Sequence, residues 1–266
     1  YLTSFDADGV SLGGSNDFNL SSGSYVGWSW KAGGTAVSNT DGYYTSTVSA
    51  NPDSGFSIIK WTGDGTAGGT VGHGLTKAPE LWISRRINTT DNWLTYFTVV
   101  DGSLDYMYLN LSNAAGGSGI TLPTSTVFSD GLSSGTSDDR ICYAFHSVEG
   151  YSKVGSYTGN GADNGPYVFT GFRPAWVLIK RTDSADSWML MDNKRSDSGG
   201  GNVIDKHLRP DSSAAESDPG GSPPVELDFL SNGFKNTENN GQVNANGGTY
   251  IYLAFAENPF KYANAR

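Results

Sequence analysis

The hydrophobic residues of this chain fall in short runs that are separated by turn-forming residues. The runs are rich in Val, Ile, Tyr, Phe and Trp, and they end at Gly, Asn, Asp or Pro, as antiparallel strands joined by tight turns do. Two runs, residues 81–83 (LWI) and 176–179 (WVLI), are apolar at every position. Such runs are typical of strands that are covered on both faces. The pattern therefore predicts an all-β fold with these two runs as central strands.

Helical signal is weak along the whole chain. Residues 211–216 (DSSAAE) are compatible with one helical turn, because Ser213 and Glu216 have the spacing of a capping box. The residues that follow, 217–224 (SDPGGSPP), have the composition of a loop.

The most informative feature is an internal repeat. The matching segments are residues 61–65 (WTGDG) with 157–161 (YTGNG), 91–93 (DNW) with 186–188 (DSW), and 128–132 (FSDGL) with 230–234 (LSNGF). Each unit closes with an aromatic strand, at residues 143–145 (YAF) or 253–255 (LAF). Units of about 100 residues with short strands and frequent turns predict tandem antiparallel β-sandwiches, similar to jelly rolls.

The repeat divides the chain into three parts. Residues 51–149 and 150–266 are two full units, and residues 1–50 resemble the end of an earlier unit. In that partial unit, residues 25–30 (YVGWSW) match the closing strand at 250–255 (YIYLAF). Because half a unit lacks strands to pair with, we expect residues 1–50 to pack on the first full unit or on another chain.

The charge of the chain excludes several classes of partner. Its net charge is -10 and its 17 Lys and Arg residues are scattered, so nucleic acid and acidic membrane surfaces are poor partners. The chain contains no apolar run long enough to cross a membrane as a helix. The single cysteine, Cys142, lies in an apolar run, which favours a buried and inert thiol.

No catalytic or cofactor motif is found in the sequence. There is no Gly-x-Ser-x-Gly elbow and no phosphate-binding loop, and the histidines lack metal-ligand spacing. Residues 6–9 (DADG) resemble the start of a calcium loop, but the later ligands are missing and a β-turn is favoured. We therefore expect no enzyme and no cofactor, with weak calcium binding and hydrolysis by two carboxylates as alternatives.

Aromatic residues beside short polar residues are the remaining candidates for a site. A sugar site stacks an aromatic ring on the C–H face of the sugar and binds its hydroxyls with polar groups. The candidate ligand-binding residues, which recur in both units, are Trp61, Asp64, Trp93, Tyr157, Asn160 and Trp188. The alternative is that these rings fill the cores of the units.

Several segments resemble a known family of repeats. They are residues 71–75 (VGHGL) with the following 78–79 (AP), 155–161 (GSYTGNG), 170–174 (TGFRP), 179–182 (IKRT) and 254–260 (AFAENPF). Together they are similar to a repeat in tail-fibre and tail-associated proteins of marine tailed bacteriophages. The resemblance implies a virion appendage protein with an extracellular location.

From this resemblance and from the aromatic, Gly-rich loops we expect host-surface adhesion through glycan binding. The partners would be a host glycan or receptor, other virion proteins and further copies of the chain, a trimer being favoured for a fibre. Two alternatives stay open, namely a purely structural virion protein and a polysaccharide-degrading enzyme.

Overall fold

A computed structural model of the chain describes residues 2–66, 68–129, 131, 136–195, 202–216 and 223–259. Strands make up 41% and helices 3% of the chain, so the predicted all-β class is confirmed. The described helices are four residues each, and neither is long or apolar enough to cross a membrane. The chain forms two compact units, Tyr1–Lys31 and Ala32–Arg266.

The smaller unit contains one hairpin and one helical turn. Strands β1 (Leu2–Phe5) and β2 (Val10–Leu12) pair antiparallel, and α1 (Asn16–Asn19) follows. Residues 6–9 form the loop of this hairpin, in which Asp6 N donates to Gly9 O at 2.9 Å and the Asp6 carboxylate accepts bonds from two serine hydroxyls at 2.7 and 2.8 Å. Residues 25–30 form no strand, so the expectation of a closing strand there is wrong.

In the larger unit, the first repeat and the residues before it form a large sheet and a small one. The strands are β3 (Val37–Asn39), β4 (Ser46–Asn51), β5 (Phe56–Asp64), β6 (Thr70–Gly72), β7 (Leu81–Arg86), β8 (Leu94–Phe97), β9 (Asp105–Tyr108), β10 (Gly116–Gly117), β11 (Val127–Ser129) and β12 (Thr136–Phe145). The large antiparallel sheet has the order β10-β9-β8-β7-β12-β5-β4-β3, and β6 pairs with β11. Strands β3 and β4, from the segment before residue 51, thus extend the sheet beside β5.

The second repeat is built in the same way. Its elements are β13 (Ser152–Thr158), β14 (Tyr167–Phe169), β15 (Pro174–Arg181), β16 (Met189–Asp192), β17 (His207–Leu208), β18 (Leu227–Leu230), β19 (Gly233–Asn236), α2 (Gly241–Asn244) and β20 (Thr249–Ala256). The large sheet has the order β13-β20-β15-β16-β17, and the small sheet has the order β14-β19-β18. The helical turn α2 follows Asn240, whose side chain caps it. Residues 211–216 are not helical, and 217–222 lie outside the described residues.

The strand registers show which positions of the two repeats correspond. In the first repeat, Arg140 on the central strand pairs with Trp61 on one side and with Arg86 on the other. In the second repeat, Tyr250 pairs in the same way with Tyr157 and with Arg181. This supports the sequence match of Trp61 with Tyr157.

The small sheets change one of the sequence matches. Phe128 lies opposite Val71, and Phe234 lies opposite Val168. The ladder therefore aligns Phe128 with Phe234 rather than with Leu230, because both rings fill the core behind a small sheet.

Each repeat has its own core between its large and small sheets. The first core includes Trp82 and Cys142 from the large sheet with Phe128 from the small one, so the predicted burial of the thiol is confirmed. The second core joins Val177 from the large sheet to Phe234 from the small one. Each repeat is thus a sandwich.

The outward face of the large sheet of the second repeat is also covered, because the repeats pack on each other. The rings of Phe145 and Phe255 lie 6.2 Å apart. Trp188 Nε1 donates to the carbonyl oxygen of Tyr108 at 2.8 Å, and Ser156 Oγ donates to that of Val99 at 2.7 Å. The run at 176–179 is buried at every position, as the uniform apolar pattern predicts, whereas in the run at 81–83 Leu81 and Trp82 are buried and Ile83 is half-buried.

Candidate functional site

Three of the rings selected from the sequence are occupied by contacts within the protein. Trp61 is 3% exposed and packs edge-on against Phe128 at 5.7 Å. Tyr157 stacks on Tyr250 at 4.9 Å, and its hydroxyl donates to the carbonyl oxygen of Val243 at 2.7 Å. Together with Trp188 in the contact between repeats, these rings follow the alternative expectation and fill the interior.

The two polar residues selected from the sequence shape their own loops. Asp64 accepts from the hydroxyls of Tyr43 and Tyr44 at 2.9 and 3.1 Å and from the backbone N–H of Thr66 at 2.9 Å. These bonds, that of Thr66 first, lower the pKa of Asp64 to about 2. Asn160 Oδ1 accepts from Ala162 N at 3.0 Å. The structure therefore distributes the selected residues over both repeats and does not assemble them into one site.

A different set of aromatic residues forms a cleft of about 250 Å³ on the first repeat. It lies beside strands β8, β9 and β10. Its lining residues are Leu94, Tyr96, Tyr106, Tyr108, Gly117, Ser118 and Gly131.

The strand register places the tyrosines together. Tyr96 lies opposite Tyr106, and Leu94 lies opposite Tyr108, so their side chains share one face of the sheet. Tyr106 and Tyr108 are two residues apart on β9, and this spacing is the signal that could have predicted a shared face from the sequence. Tyr96 is buried and stacks on the core residue Trp82 at 5.1 Å, which fixes the floor of the cleft.

The other two tyrosines are half-buried and meet edge to face, with ring centroids 5.7 Å apart. Burial and then the neighbouring Tyr106 raise the pKa of Tyr108, so its phenol carries its proton at neutral pH. A phenol can both donate and accept a hydrogen bond. The half-exposed part of the cleft therefore combines ring surface with a polar hydroxyl.

Glycines keep the rim of the cleft open. A Cβ on Gly131 would lie 2.3 Å from the hydroxyl oxygen of Tyr96, and a Cβ on Gly116 would lie 3.4 Å from the ring of Tyr106. Any larger residue at position 131 would displace the tyrosine. Small residues at the rim leave backbone groups accessible to a ligand.

The second repeat does not reproduce the cleft. By strand register, Met191, His207 and Arg209 take the places of Tyr96, Tyr106 and Tyr108. His207 is buried, and this burial lowers its pKa to about 4. The first repeat therefore has its own surface chemistry on a shared fold.

Carboxylates are sparse around the tyrosine cleft and around a second, more open cleft of about 260 Å³. Of the residues that the structure describes, none in the lining of the tyrosine cleft is a carboxylate, and Glu80 is the carboxylate in the second cleft. The Glu80 carboxylate accepts from Ser147 N at 2.5 Å. Among the described residues, no three His, Cys, Asp or Glu side chains come together as metal ligands.

Comparison with known proteins places the chain in a family. A family described as a domain of unknown function, DUF7483, matches residues 1–259. The chain belongs to this family. No curated protein and no solved structure matches it. Because the description of the DUF7483 family states no activity, ligand or host, the function has to be argued from the site, and the resemblance to phage tail proteins stays a prediction.

Proposed function

We propose that this chain is an adhesion protein of the phage tail-fibre type that binds host-surface glycans through the tyrosine cleft of its first repeat. The observation that carries the proposal is the cleft itself, in which Tyr96, Tyr106 and Tyr108 converge beside glycines. This set replaces the predicted binding residues, because Trp61 and Trp188 are buried and Tyr157 packs against the core of the second repeat.

The cleft has the chemical groups that sugar recognition needs. An aromatic face stacks on the C–H groups of a pyranose, and phenol and serine hydroxyls bind the sugar hydroxyls. Ser118 and Tyr108 supply such hydroxyls, although Ser118 Oγ already donates to the carbonyl oxygen of Leu104 at 2.6 Å and so offers an acceptor. The stacking of Tyr96 on Trp82 holds part of the cleft rigid before binding, which lowers the entropic cost of association.

Electrostatics favour a neutral sugar. The described residues that line the cleft include no Lys or Arg that would attract an acidic sugar. The net charge of -10 adds a long-range repulsion for carboxylated or sulfated glycans. Binding at one such cleft would be weak, and several copies on one appendage would give avidity.

A glycan array with neutral and acidic oligosaccharides tests the proposal. We expect the wild-type chain to bind neutral glycans, and Tyr106→Ala to weaken binding at least about tenfold, which corresponds to about 1.4 kcal/mol. The matched control is Tyr167→Ala, which removes an exposed tyrosine from the second repeat. Equal losses in both variants, or unchanged binding by Tyr106→Ala, would contradict the proposal.

A purely structural virion role is the second candidate. It is favoured by the contact between the repeats, which buries the outward face of the large sheet of the second repeat and joins the repeats as a spacer requires. An array that shows no binding by the wild-type chain would favour this role.

A further inference from the structure

The two repeats have corresponding outward faces that are covered to different degrees. On the second repeat, the outward side chains of β13, β20 and β15 and the tryptophan after β15 form what we call the entry face. Its residues, all at most 5% exposed, are Val154, Leu178, Lys180, Trp188, Ile251 and Leu253. They lie outside the core of the second repeat.

Two parts of the first repeat contact the outward face of the second, namely Val99, which accepts from Ser156 Oγ, and residues 108–115. Besides the bond from the Trp188 indole to Tyr108, Asp186 N donates to Ser112 O at 2.8 Å, and Ala115 N donates to Thr182 O at 2.8 Å. The contact joins different surfaces of the two repeats. A contact of this kind is heterologous, and in principle it can be repeated by a further unit.

The strand registers identify the same entry face on the first repeat. Its residues, in the order of their counterparts above, are Ile58, Ile83, Arg85, Trp93, Ile141 and Tyr143. The chemistry is retained, because aliphatic or aromatic residues correspond to aliphatic or aromatic ones and Arg85 corresponds to Lys180. All six are half-buried, whereas every counterpart is buried.

Trp93 shows the difference most clearly. Its ring lies against Tyr143 at 6.1 Å and under the guanidinium of Arg85 at 5.3 Å, both from its own repeat. Its counterpart Trp188 is 1% exposed and is sealed by the first repeat. The entry face of the first repeat thus has residue types like those of the buried entry face of the second repeat, but its side chains are more exposed.

The chain also contains a segment equivalent to the covering one. By register, Leu208 and Arg209 on the second repeat correspond to Met107 and Tyr108, and Met107 is buried although it lies outside the core of the first repeat. Asp211 Oδ1 accepts from Trp188 N at 3.1 Å, just as Asn110 Oδ1 accepts from Trp93 N at 2.9 Å. The second repeat can therefore present its own version of the covering surface to another molecule.

We propose that the entry face of the first repeat binds a second copy of this chain, which covers it with residues 208–211 of its second repeat. The contact continues the one already formed between the repeats, and its repetition yields a closed ring or a filament. The proposal does not depend on glycan binding.

Sedimentation velocity over a range of protein concentrations tests this proposal. We expect the mass of the wild-type chain to rise with concentration. Tyr143→Lys places a charge at the centre of the entry face, and Leu208→Lys does so on the covering surface. Each substitution should weaken association at least tenfold, whereas an equimolar mixture of the two variants should form dimers and nothing larger, because each retains one intact surface.

Two further variants control for folding and for added charge. Lys60 is exposed at the edge of the entry face on β5, so Lys60→Glu should weaken association without a risk to the fold. Val37→Lys, at a side chain 64% exposed on β3, should leave association unchanged. The proposal is overturned if the wild-type chain is a monomer at all concentrations. It is also overturned if Leu208→Lys associates like the wild type, since that would indicate a symmetric contact between entry faces.

Discussion

The contact between the repeats predicts that two corresponding tryptophans contribute very differently to stability. Trp188 is 1% exposed, and its Nε1 donates at 2.8 Å to the carbonyl oxygen of Tyr108 in the other repeat. Trp93 is half-buried and contacts side chains of its own repeat. The substitutions Trp188→Phe and Trp93→Phe therefore probe the contact with the same chemical change.

The structure sets the magnitude of the difference. Trp188→Phe leaves the Tyr108 carbonyl oxygen without this partner in a buried setting, which costs about 1–3 kcal/mol, and it also removes ring volume. Trp93→Phe changes a half-exposed ring, for which about 0.5 kcal/mol is expected. Truncation of Trp188 to Ala should cost about 3–5 kcal/mol, the usual range for a buried tryptophan.

Urea unfolding monitored by far-UV circular dichroism measures these free energies. We expect Trp188→Phe to lower the free energy of unfolding by at least about 1 kcal/mol more than Trp93→Phe does. If the two variants are equally stable, or if Trp93→Phe is the less stable one, the assignment of Trp188 to a buried contact between the repeats is refuted.

Two other predictions concern the second repeat. Gly155 lies opposite Tyr252, and a Cβ on the glycine would lie 2.6 Å from the tyrosine hydroxyl, so Gly155→Ala should destabilise the fold by about 1–3 kcal/mol. Combining Gly155→Ile with Tyr252→Cys recreates the Ile59 and Cys142 pair of the first repeat, and in thermal unfolding the double variant should lose at least about 1 kcal/mol less than the sum of the two single variants. Strictly additive losses would contradict this prediction. Burial lowers the pKa of His207 to about 4 from an ordinary value of about 6.5, so between these pH values the unfolded chain binds more protons and the free energy of unfolding should fall as the pH drops. In urea unfolding, His207→Gln should reduce this dependence of the free energy on pH. An unchanged dependence would count against the buried neutral imidazole.

The strands and the repeat could be predicted from the sequence because they depend on local pattern. Runs of β-branched and aromatic residues between turn residues indicate strands, and the uniform apolar runs around Trp82 and Val177 indicate coverage on both faces. The weak helical signal at 211–216 was misleading, because capping residues such as Ser213 also favour loops. The turn α2 instead follows Asn240, in a segment with no apolar period.

The exposure of individual rings could not be predicted, because their partners lie far along the chain. Trp61 packs against Phe128 from the other sheet, and Tyr157 stacks on Tyr250 from the paired strand, contacts that the local sequence does not encode. The closing strand expected at residues 25–30 has the composition of its counterparts. In the two repeats, however, the closing strand pairs with one strand on each side. Among the described residues of their own compact unit, residues 25–30 have no such partner strands.

The most direct test of glycan binding at the tyrosine cleft is an NMR titration of the chain, labelled in its tyrosine rings. The titration uses neutral oligosaccharides, with an acidic oligosaccharide as control. We predict that the ring signals of Tyr106 and Tyr108 shift with the neutral sugars, while those of the core residue Tyr250 and of Tyr157, which packs against that core, do not. Shifts confined to tyrosines outside the cleft, or no shift with any sugar, would contradict glycan binding at this site.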